Sequence, residues 1–366
     1  EFDMVFQFEH MGVDHGMGGR YDIRPVDWVR LKSIMARWQD GLADVGWNSL
    51  YWCNHDQPRP VSRYGAGNTA YREVSAKALA TVLHLHRGTP YVYQGEELGM
   101  VNYPFTSLDQ LDDVESRNWS AEAVGKGMDP AVALAAVNVQ SRDHARTPMQ
   151  WDASEHAGFT TGTPWLPVNP AYREINAAAQ VGDPESVFAH YQRLIRLRRE
   201  LPVVVEGRFE LLLADHPSVY AFTRALEGDE LLVVANLSGE SVEVALPDGW
   251  EDAEVVISSG DSGDSGMPPA HLGVGDLGAR GGHQSLVLGL DLGRVLGQLL
   301  QGGLAAPQVD QQRRGDAEMR QQLAAAAGVL GADRRHFAQG LLRPRRQVAE
   351  IADGRGDDVQ FSPIAF

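Results

Sequence analysis

The sequence predicts an α/β domain followed by a smaller antiparallel β domain. Over the first 201 residues, short apolar runs of strand length alternate with longer segments that repeat at the helical period. From residue 203 to about residue 260, this pattern gives way to short runs separated by turn residues. Strand–helix alternation is typical of a parallel sheet covered by helices, and closely spaced short runs are typical of an antiparallel domain.

Three segments of the first domain have the spacing of amphipathic helices. Apolar residues recur every three or four positions in residues 29–42, 75–87 and 185–201. This spacing places the apolar side chains on one face of a helix. Pro202 follows the third segment and marks its end, because proline lacks the amide hydrogen that a helix interior requires.

The second domain is predicted from four short runs rich in β-branched and aromatic residues. They span residues 208–213, 219–222, 230–237 and 241–246, with turn residues between them. Runs of this length and spacing indicate antiparallel strands. We expect this domain to cover apolar surface of the first one.

A polar hexapeptide follows an apolar strand pattern at residues 47–53. It reads Asn54-His55-Asp56-Gln57-Pro58-Arg59, and prolines at positions 58 and 60 cannot continue an interior strand. A carboxylate, an imidazole and a guanidinium therefore come together at the C-terminal end of a strand, where barrel enzymes place catalytic groups. Taken alone, an Asn-His-Asp triplet is more often a turn with capping side chains.

Four motifs in order resemble one family. The hexapeptide with residues 61–65 looks like the seventh-strand motif of glycoside hydrolase family 13, the α-amylase superfamily of retaining α-glycosidases. Its sixth strand, its eighth strand and a later substrate-site segment are similar to residues 6–11, 88–97 and 141–151. The resemblance runs from about Phe2 to about Gly260 and points to the oligo-1,6-glucosidase branch.

The resemblance implies a fold and a domain organisation. Residues 1–201 would be the C-terminal part of a catalytic (β/α)8 TIM barrel, containing strands six to eight. Residues 202–265 would be a small antiparallel β-sandwich domain, incomplete at its end. The family's β domain packs on the barrel and supplies no catalytic residue.

The resemblance also assigns roles in the hexapeptide. Asp56 would be the third carboxylate, which binds sugar hydroxyls at the cleavage subsite and stabilises the distorted, oxocarbenium-like transition state. His55 would donate a hydrogen bond to the same sugar ring, and Arg59 would bind there and hold nearby carboxylates in place.

Four further residues are substrate-binding candidates. The family places an arginine at Arg142 that closes the wall around the non-reducing terminal sugar and favours exo-acting cleavage, and Arg146 competes for this role. Glu115 falls near the family's acceptor-subsite glutamate, although the surrounding acidic run leaves the register open. Glu9 ends the first strand-like run and would face the pocket mouth. For each, the alternative is a solvated or ion-paired surface side chain.

The nucleophile and the general acid are expected elsewhere. In this family they follow strands four and five, upstream of the segment that begins here at Glu1. Hydrolysis with retention needs two carboxyls roughly 5 to 5.5 Å apart, and Asp56 corresponds to neither. We therefore expect the chain to be the C-terminal portion of a longer enzyme and to be inactive alone. Three parallel strands leave an unpaired edge and an open apolar interior, so the chain alone is also expected to aggregate or stay molten.

Composition limits the functional classes. The chain has 366 residues, a net charge of −17 and 43% hydrophobic residues, without the 18-residue apolar run that a membrane helix requires. The acidity argues against a nucleic-acid partner, and the histidines lack the spacing of a zinc site, so neither metal nor cofactor is predicted. Cys53 is the single cysteine and is expected to be an inert core thiol. With the family, these features favour a cytoplasmic protein that is monomeric at full length.

The tail after residue 266 departs from the family. The last tyrosine is Tyr220, the last tryptophan is Trp250, and residues 266–366 are rich in Gly, Ala, Gln, Arg and Leu. One interpretation is a genuine helical extension, and the other is out-of-frame or disordered sequence downstream of residues 260–267. The composition favours the second, and no function is assigned to the tail.

The function expected from the resemblance is hydrolysis of terminal α-glucosidic bonds in short oligosaccharides, with retention. Trehalose-6-phosphate hydrolase and sucrose isomerase, which share the fold, remain alternatives. A further alternative is a non-catalytic relative that serves as a binding subunit. The presence of His55, Asp56, Arg59 and Arg142 favours the enzyme.

Overall fold

The computed structural model describes residues 3–67, 70–240 and 253–260, together with residues 242, 244, 245, 247 and 250 and the backbone of 284–289. These residues belong to the unit that runs from Glu1 to Arg314. Half of the predicted strand at 241–246, and the tail from 266 onward apart from 284–289, lie outside the described residues.

The described strands are, in chain order, β1 (Met4–Val5), β2 (His15–Gly16), β3 (Gly19–Ile23), β4 (Trp47–Leu50), β5 (Thr89–Pro90), β6 (Arg208–Leu212), β7 (Val219–Leu226), β8 (Asp229–Asn236), β9 (Glu254–Ser258) and β10 (Gln284–Gly289). The α-helices are α1 (Trp28–Gly41), α2 (Pro60–Arg63), α3 (Arg72–His84), α4 (Val114–Gly125), α5 (Pro130–Gln140), α6 (Asp143–Arg146), α7 (Ala177–Gln180), α8 (Val187–Glu200) and α9 (Pro202–Glu206). Short 3-10 turns lie at Glu9–Gly12, Glu96–Leu98, Leu108–Gln110, Glu155–Gly158 and Pro170–Arg173.

Three strands of the first domain form a parallel sheet. Its order is β1-β4-β5, with Met4 opposite Trp47 and Leu50 opposite Pro90. Helix α1 connects the first pair and α3 the second, as expected for strands joined by crossovers. The predicted partial barrel is therefore confirmed, and the carboxyl ends of its strands meet at one edge.

The three predicted helices form within a few residues of their expected bounds. α1 begins after Asp27 and α8 after Ser186, and each of these side chains accepts a hydrogen bond from a backbone amide of the first turn. Such caps satisfy amides that have no partner inside the helix. α3 begins three residues earlier than predicted and ends at His84.

Apolar side chains that follow the carboxyl ends of β1 and β5 are exposed. Phe6 is 49% exposed and Phe8 57%, and Tyr91 is also exposed. Phe6 lies 4.7 Å from the Tyr91 ring and 5.6 Å from the Tyr51 ring, measured between centroids. These rings form a continuous aromatic surface at the sheet.

The second domain is a five-stranded sheet of order β6-β7-β8-β10-β9. β6, β7 and β8 pair antiparallel, as predicted, but β10 runs parallel to both β8 and β9. The sequence analysis identified no strand after residue 266. The run Leu286-Val287-Leu288 is short and is surrounded by glycine-rich sequence, so it gave no signal of its own.

Alternate residues of the second sheet face two different cores. Tyr220, Phe222 and Leu231 belong to the large core shared with the barrel helices, whereas Val219 and Leu232 belong to a smaller cluster on the opposite face. This follows from the two-residue period of a strand. The expectation that this domain covers apolar barrel surface agrees with the packing.

A buried lysine joins the two domains. The Lys32 ammonium, in α1, donates to the carbonyl oxygens of Leu213 and His216 at 2.7 Å and of Val219 at 2.9 Å. The side chain is fully buried. Burial lowers the pKa of Lys32, because the charged form loses hydration. The three carbonyls replace that hydration and fix the turn between β6 and β7 against α1.

Candidate functional site

A cluster of charged side chains lies at the carboxyl end of β4. The chain continues from Leu50 through the buried residues Tyr51, Trp52 and Cys53 into a turn. In that turn, the backbone amide of Asp56 donates to Asn54 Oδ1 at 2.8 Å. The turn reverses the chain and leaves the Asp56 side chain 41% exposed at the edge of the sheet.

Two arginines approach the Asp56 carboxylate. Arg146 Nη2 donates to Asp56 Oδ1 at 2.7 Å, and Arg142 Nη1 lies 3.5 Å from the same oxygen. His55 Nε2 lies 3.3 Å from the other oxygen, Oδ2. One carboxylate oxygen is therefore held by guanidinium groups, while the other faces an imidazole that is 70% exposed.

The Asp113 carboxylate forms ion pairs with both arginines. Its buried carboxylate accepts a hydrogen bond from Arg142 Nε at 2.8 Å, and Arg146 Nη1 lies 3.6 Å away. Asp113 also caps α4, because its Oδ2 accepts from Ser116 N at 3.0 Å. Burial acts to raise the pKa of Asp113, but hydrogen bonds from Arg142 and Ser116 outweigh it, so the net pKa is lowered and the group stays charged.

Asp143 anchors the loop that carries Asp113. Its Oδ2 accepts hydrogen bonds from the backbone amides of Asp112 and Asp113, each at 2.9 Å. Burial raises the pKa of Asp143, although those two amides act in the opposite direction. The segment that supplies both arginines therefore also positions the acid to which they bind.

Glu115 joins the cluster from the first turn of α4. Its Oε2 lies 3.3 Å from Arg142 Nε and accepts a hydrogen bond from Arg20 Nη1 at 3.1 Å. Arg20 belongs to β3 and donates through Nη2 to the backbone oxygen of Asp56 at 2.6 Å. The structure thus brings together Asp56, Arg142 and Glu115, which the sequence analysis proposed from three separate segments.

A second, buried network supports the Asp56 turn. Arg63, in α2, donates to both carboxylate oxygens of Asp14, at 2.6 and 2.8 Å, and to Gln57 Oε1 at 2.7 Å. Gln140 Nε2 donates to Asp14 at 2.7 Å. Burial acts to raise the pKa of Asp14, but the Arg63 guanidinium outweighs it and the pKa is lowered. This bidentate pair ties the residue after Asp56 to the segment before β2.

Arg59 lies beneath the site rather than on its surface. Its side chain is 1% exposed and donates to the backbone oxygens of His144 at 3.1 Å, Gln94 at 2.5 Å and Ala145 at 3.3 Å. The sequence analysis proposed that Arg59 contacts substrate and holds carboxylates. Its donors are instead directed to carbonyl groups, so it fixes the backbone that carries the Arg142–Arg146 segment.

Glu9 lies beside α1. Its carboxylate forms an ion pair with Arg37 and accepts from Trp38 Nε1 at 3.2 Å. The neighbouring His10 is buried, with Nε2 2.9 Å from the Tyr51 carbonyl oxygen. Burial lowers the pKa of His10 to about 4, so this imidazole is neutral at physiological pH. Among the described contacts, Glu9 is bound to the helix rather than to the Asp56 cluster.

Cys53 is buried in the segment that leads from β4 to Asp56. Burial raises the pKa of its thiol to about 12. A thiol with that pKa carries almost no thiolate near neutral pH, and the thiolate is the reactive form. The cysteine is therefore a core residue, in agreement with the sequence analysis.

The sequence analysis missed Arg20 and Asp113. Arg20 lies in a glycine-rich segment with no strand signal of its own, and it reaches the cluster because β3 folds back on β2. Asp113 had a recognisable signal, since an aspartate directly before a helix is a preferred N-cap. Within the described residues, no group of three or more histidine, cysteine or acidic side chains is arranged to hold a metal ion.

Parallel strands that present a charged cluster at their carboxyl ends define this domain as part of an α/β barrel with its functional groups at the C-terminal face. The model of the alpha amylase catalytic domain matches residues 1–207, and that of the maltogenic amylase C-terminal domain matches residues 209–262. The chain belongs to the α-amylase family of glycoside hydrolases, and the family predicted from the four motifs is confirmed.

The curated relatives include enzymes of different activities. The chain is 50% identical over 258 residues to an oligo-1,6-glucosidase of Halalkalibacterium halodurans, covering 70% of this chain and 45% of that protein. It is 48% identical over 265 residues to a trehalose-6-phosphate hydrolase of Bacillus subtilis, covering 71% and 47%. The chain therefore spans about half the length of the curated relatives that it matches.

Solved structures agree with this assignment. Trehalose-6-phosphate hydrolase of Bacillus licheniformis superimposes with a TM-score of 0.69 at 43% identity, covering 74% of this chain and 49% of that one. A trehalulose synthase variant superimposes with a TM-score of 0.69 at 42% identity, covering 74% and 48%. Among the described residues, no helix has the length and apolar character needed to cross a membrane.

Proposed function

We propose that this chain forms the part of a retaining α-glucosidase active site that stabilises the transition state, in a cytoplasmic enzyme that releases terminal glucose from short α-linked oligosaccharides. Asp56 is the proposed catalytic residue. His55, Arg142 and Glu115 are the proposed substrate contacts, and Arg146 is added to them because of its distance to Asp56. Arg59 and Glu9 have positions that support the fold around the site.

The observation that carries the proposal is the asymmetric binding of the Asp56 carboxylate. Oδ1 is held by Arg146, whereas Oδ2 lies 3.3 Å from an exposed imidazole. A carboxylate fixed on one side can accept hydrogen bonds from two sugar hydroxyls on the other side without changing its rotamer. Such preorganisation is worth most in the transition state, where the ring flattens and positive charge develops at the anomeric carbon.

The proposed reaction adds water across a glycosidic bond. A nucleophilic carboxylate attacks the anomeric carbon while an acid protonates the leaving oxygen, and water then releases the glucose with net retention. No described residue is assigned either role. We propose that both carboxylates lie on barrel strands that precede β1 in a protein of the relatives' length, and that Asp56 contributes charge and ring distortion.

The charge balance of the cluster favours an uncharged substrate. Its three arginines at positions 20, 142 and 146 are matched by Asp56, Asp113 and Glu115. Each guanidinium already binds a carboxylate, so a phosphate group would have to displace one of them. Within the described part of the site, this pairing of charges supports a neutral oligosaccharide as the substrate over a sugar phosphate.

Trehalose-6-phosphate hydrolysis is the second candidate, since relatives of that name are as similar as the glucosidases. Sucrose isomerisation is a third, because the superimposed structures include isomaltulose and trehalulose synthases. Both would use the same Asp56 and differ in groups that bind the second sugar. An assay therefore has to compare substrates rather than test one.

The test begins with the genomic DNA across both ends of the reading frame. The 366-residue chain and the protein of full coding length are then expressed and assayed on isomaltose, maltose, sucrose and trehalose 6-phosphate. We expect glucose release from isomaltose by the longer protein, with the α-anomer formed first in a proton NMR time course.

Each of the other outcomes would support a different function or mechanism. Preferential release from trehalose 6-phosphate, or conversion of sucrose to an isomer, would replace the proposed substrate class. Activity of the 366-residue chain by itself would mean that its own carboxylates perform the chemistry, and the helper role of Asp56 would be abandoned. A longer protein that binds isomaltose without cleaving it would indicate a non-catalytic relative.

A further inference from the structure

Arg20 occupies a bridging position that no motif assigned to it. Its side chain is 14% exposed, and its two terminal nitrogens bind different segments of the chain. Nη2 donates to the Asp56 carbonyl oxygen at 2.6 Å, and Nη1 donates to Glu115 Oε2 at 3.1 Å. One guanidinium thus joins the turn after β4 to the first turn of α4.

The strand that carries Arg20 is itself held in place. Tyr21 stacks on Trp119 of α4, with ring centroids 4.2 Å apart and an interplanar angle of 20°. The Tyr21 hydroxyl lies 2.9 Å from Ser116 Oγ. Tyr21 also packs with Phe105 and Val137 in a separate buried cluster. The backbone at Arg20 is therefore already ordered, so its two contacts are opposed mainly by the entropy of its own side chain.

The contact with Asp56 fixes a peptide group rather than the carboxylate. The backbone amide of Asp56 already donates to Asn54 Oδ1 at 2.8 Å, and Arg20 donates to the backbone oxygen of Asp56 itself. With both polar groups of its backbone occupied, Asp56 has one backbone orientation at the edge of the sheet. Its side chain can then meet Arg146 and the sugar from a defined direction.

Glu115 makes Arg20 part of a closed ring. Arg142 Nε lies 3.3 Å from the same Glu115 oxygen, and Arg142 Nη1 lies 3.5 Å from Asp56. The ring therefore runs from Asp56 to Arg20, then to Glu115, then to Arg142 and back to Asp56. Movement of Glu115 would be transmitted to the Asp56 turn through Arg20.

We propose that Arg20 is a positioning residue that couples Glu115, on the acceptor side of the proposed site, to the orientation of Asp56. The inference rests on the proposed function. It assigns no contact between Arg20 and the sugar. Its consequence is that occupation of the acceptor side influences the rate of the step that Asp56 assists.

The experiment uses the protein of full coding length and compares three main variants, with Arg20→Ala and a Glu115→Gln background as further tests. Arg20→Met removes both contacts, and Arg20→Lys retains the charge but replaces the two-nitrogen fork by a single ammonium. Arg24→Met is the matched control, because Arg24 follows on the same segment and its ion pair with Asp22 is 2.6 Å long and partly exposed. Circular dichroism and the thermal midpoint establish that each variant is folded.

We expect Arg20→Met to lower kcat on isomaltose by tenfold or more while KM changes less than threefold, and Arg24→Met to stay within twofold of the wild type. Arg20→Lys should lie between them. In Arg20→Ala, low concentrations of guanidinium chloride should restore part of kcat, which a general loss of folding would not permit. In the Glu115→Gln background, Arg20→Met should lower kcat by a smaller factor than in the wild type, because Arg20 and Glu115 act through one contact.

Three results would overturn the inference. They are equal kcat for Arg20→Met and Arg24→Met, a loss confined to KM, and additive effects of the Arg20 and Glu115 changes. If Arg20→Met fails to fold, Arg20→Lys and the guanidinium series decide the question. An inactive wild type would remove the proposed function, and this inference with it, whereas an active wild type with an unaffected Arg20→Met would remove the inference alone.

Discussion

Arg146 Nη2 lies 2.7 Å from Asp56 Oδ1, although the two residues are 90 positions apart in the chain. Arg146 also donates through Nε to the backbone oxygen of His55 at 2.9 Å. The contact joins the short helix α6 to the turn after β4. It leaves Asp56 Oδ2 beside His55, so the carboxylate is both fixed and accessible. The following predictions concern the protein of full coding length.

Asp56→Asn should lower kcat much more than it changes KM. The amide keeps the shape of the side chain but loses the charge that opposes the positive charge of the transition state, and loss of such a group costs roughly 100-fold or more. Steady-state kinetics on isomaltose measure both constants. Asp44→Asn is the control, because Asp44 is largely exposed and lies near Arg208. A large increase in KM with unchanged kcat would contradict the proposed role.

Arg146→Met and Arg142→Met should affect different kinetic constants. Removal of Arg146 leaves Asp56 Oδ1 without its closest donor, and we expect kcat to fall roughly 10- to 100-fold, as for a lost charge-assisted hydrogen bond. Arg142 is bound mainly by Asp113 rather than by Asp56, and it is a proposed substrate contact. Its loss should therefore raise KM more than it lowers kcat. The same assay tests both variants, with Arg24→Met as the shared control. Identical profiles would show that the two arginines are not distinguished by their distance to Asp56.

Lys32→Met should destabilise the chain by about 3 kcal/mol, because three buried carbonyl oxygens lose a charged donor and gain none. Urea unfolding of the protein of full coding length measures the change. Lys126→Met is the matched control, since its ammonium is exposed and pairs with Glu122 within one helix, and it should leave the midpoint unchanged. An unchanged midpoint for Lys32→Met would mean that the turn between β6 and β7 finds other donors.

The stability of the fold should decrease in acid through its buried histidines. Burial lowers the pKa of His84 and His144 to about 4, and that of His86 and His190 to about 3. The unfolded chain takes up protons on these groups below about pH 6.5, whereas the folded chain does so only below about 4. The free energy of unfolding should therefore fall as pH decreases from 6.5 to 4. Urea titrations at pH 7, 6 and 5 measure it, and a flat profile would contradict the burial of neutral imidazoles.

Glu96 should contribute the opposite pH dependence of stability between about pH 4.5 and 8. Burial raises the pKa of its carboxyl to about 8, and the Tyr191 hydroxyl donates to Oε1 at 3.0 Å. Between pH 4.5 and 8 the folded chain retains a proton that the unfolded chain has lost, so the stability from this group decreases as pH rises through that range. Glu96→Gln keeps the shape and should flatten the profile between pH 6.5 and 8. Glu73→Gln, on the exposed side of α3, is the control.

The sequence predicted the elements whose signals are local, but it missed, among others, the helices α4 and α5 and the strands β2, β3 and β9. The helices at 29–42, 75–87 and 185–201 follow from apolar spacing, and caps such as Asp27 and Ser186 mark where two of them begin. The strand pattern at 47–53 was recognisable from its apolar composition. β10 was not, because its short apolar run lies in glycine-rich sequence and it is stabilised by pairing with β8 and β9.

The site was predicted in part. Asp56, Arg142 and Glu115 were proposed from motifs, and the structure brings them together. Arg20 was missed because its role depends on a hairpin that returns it to the cluster. Arg59 was proposed as a substrate contact from the family's motif, yet its side chain is buried and donates to backbone carbonyl oxygens.

The sequence alone determined the helices α1, α3 and α8, most strands of the two main sheets and the chemical groups that are available, since propensity, period and capping act over a few residues. It also determined the family, through four motifs in a fixed order. Only the tertiary structure decided which carboxylate meets which guanidinium, because the Asp56, Asp113 and Glu115 contacts join segments 29 to 95 residues apart. Those pairings depend on how β3, α4 and α6 pack around the end of one strand, and no local pattern contains that information.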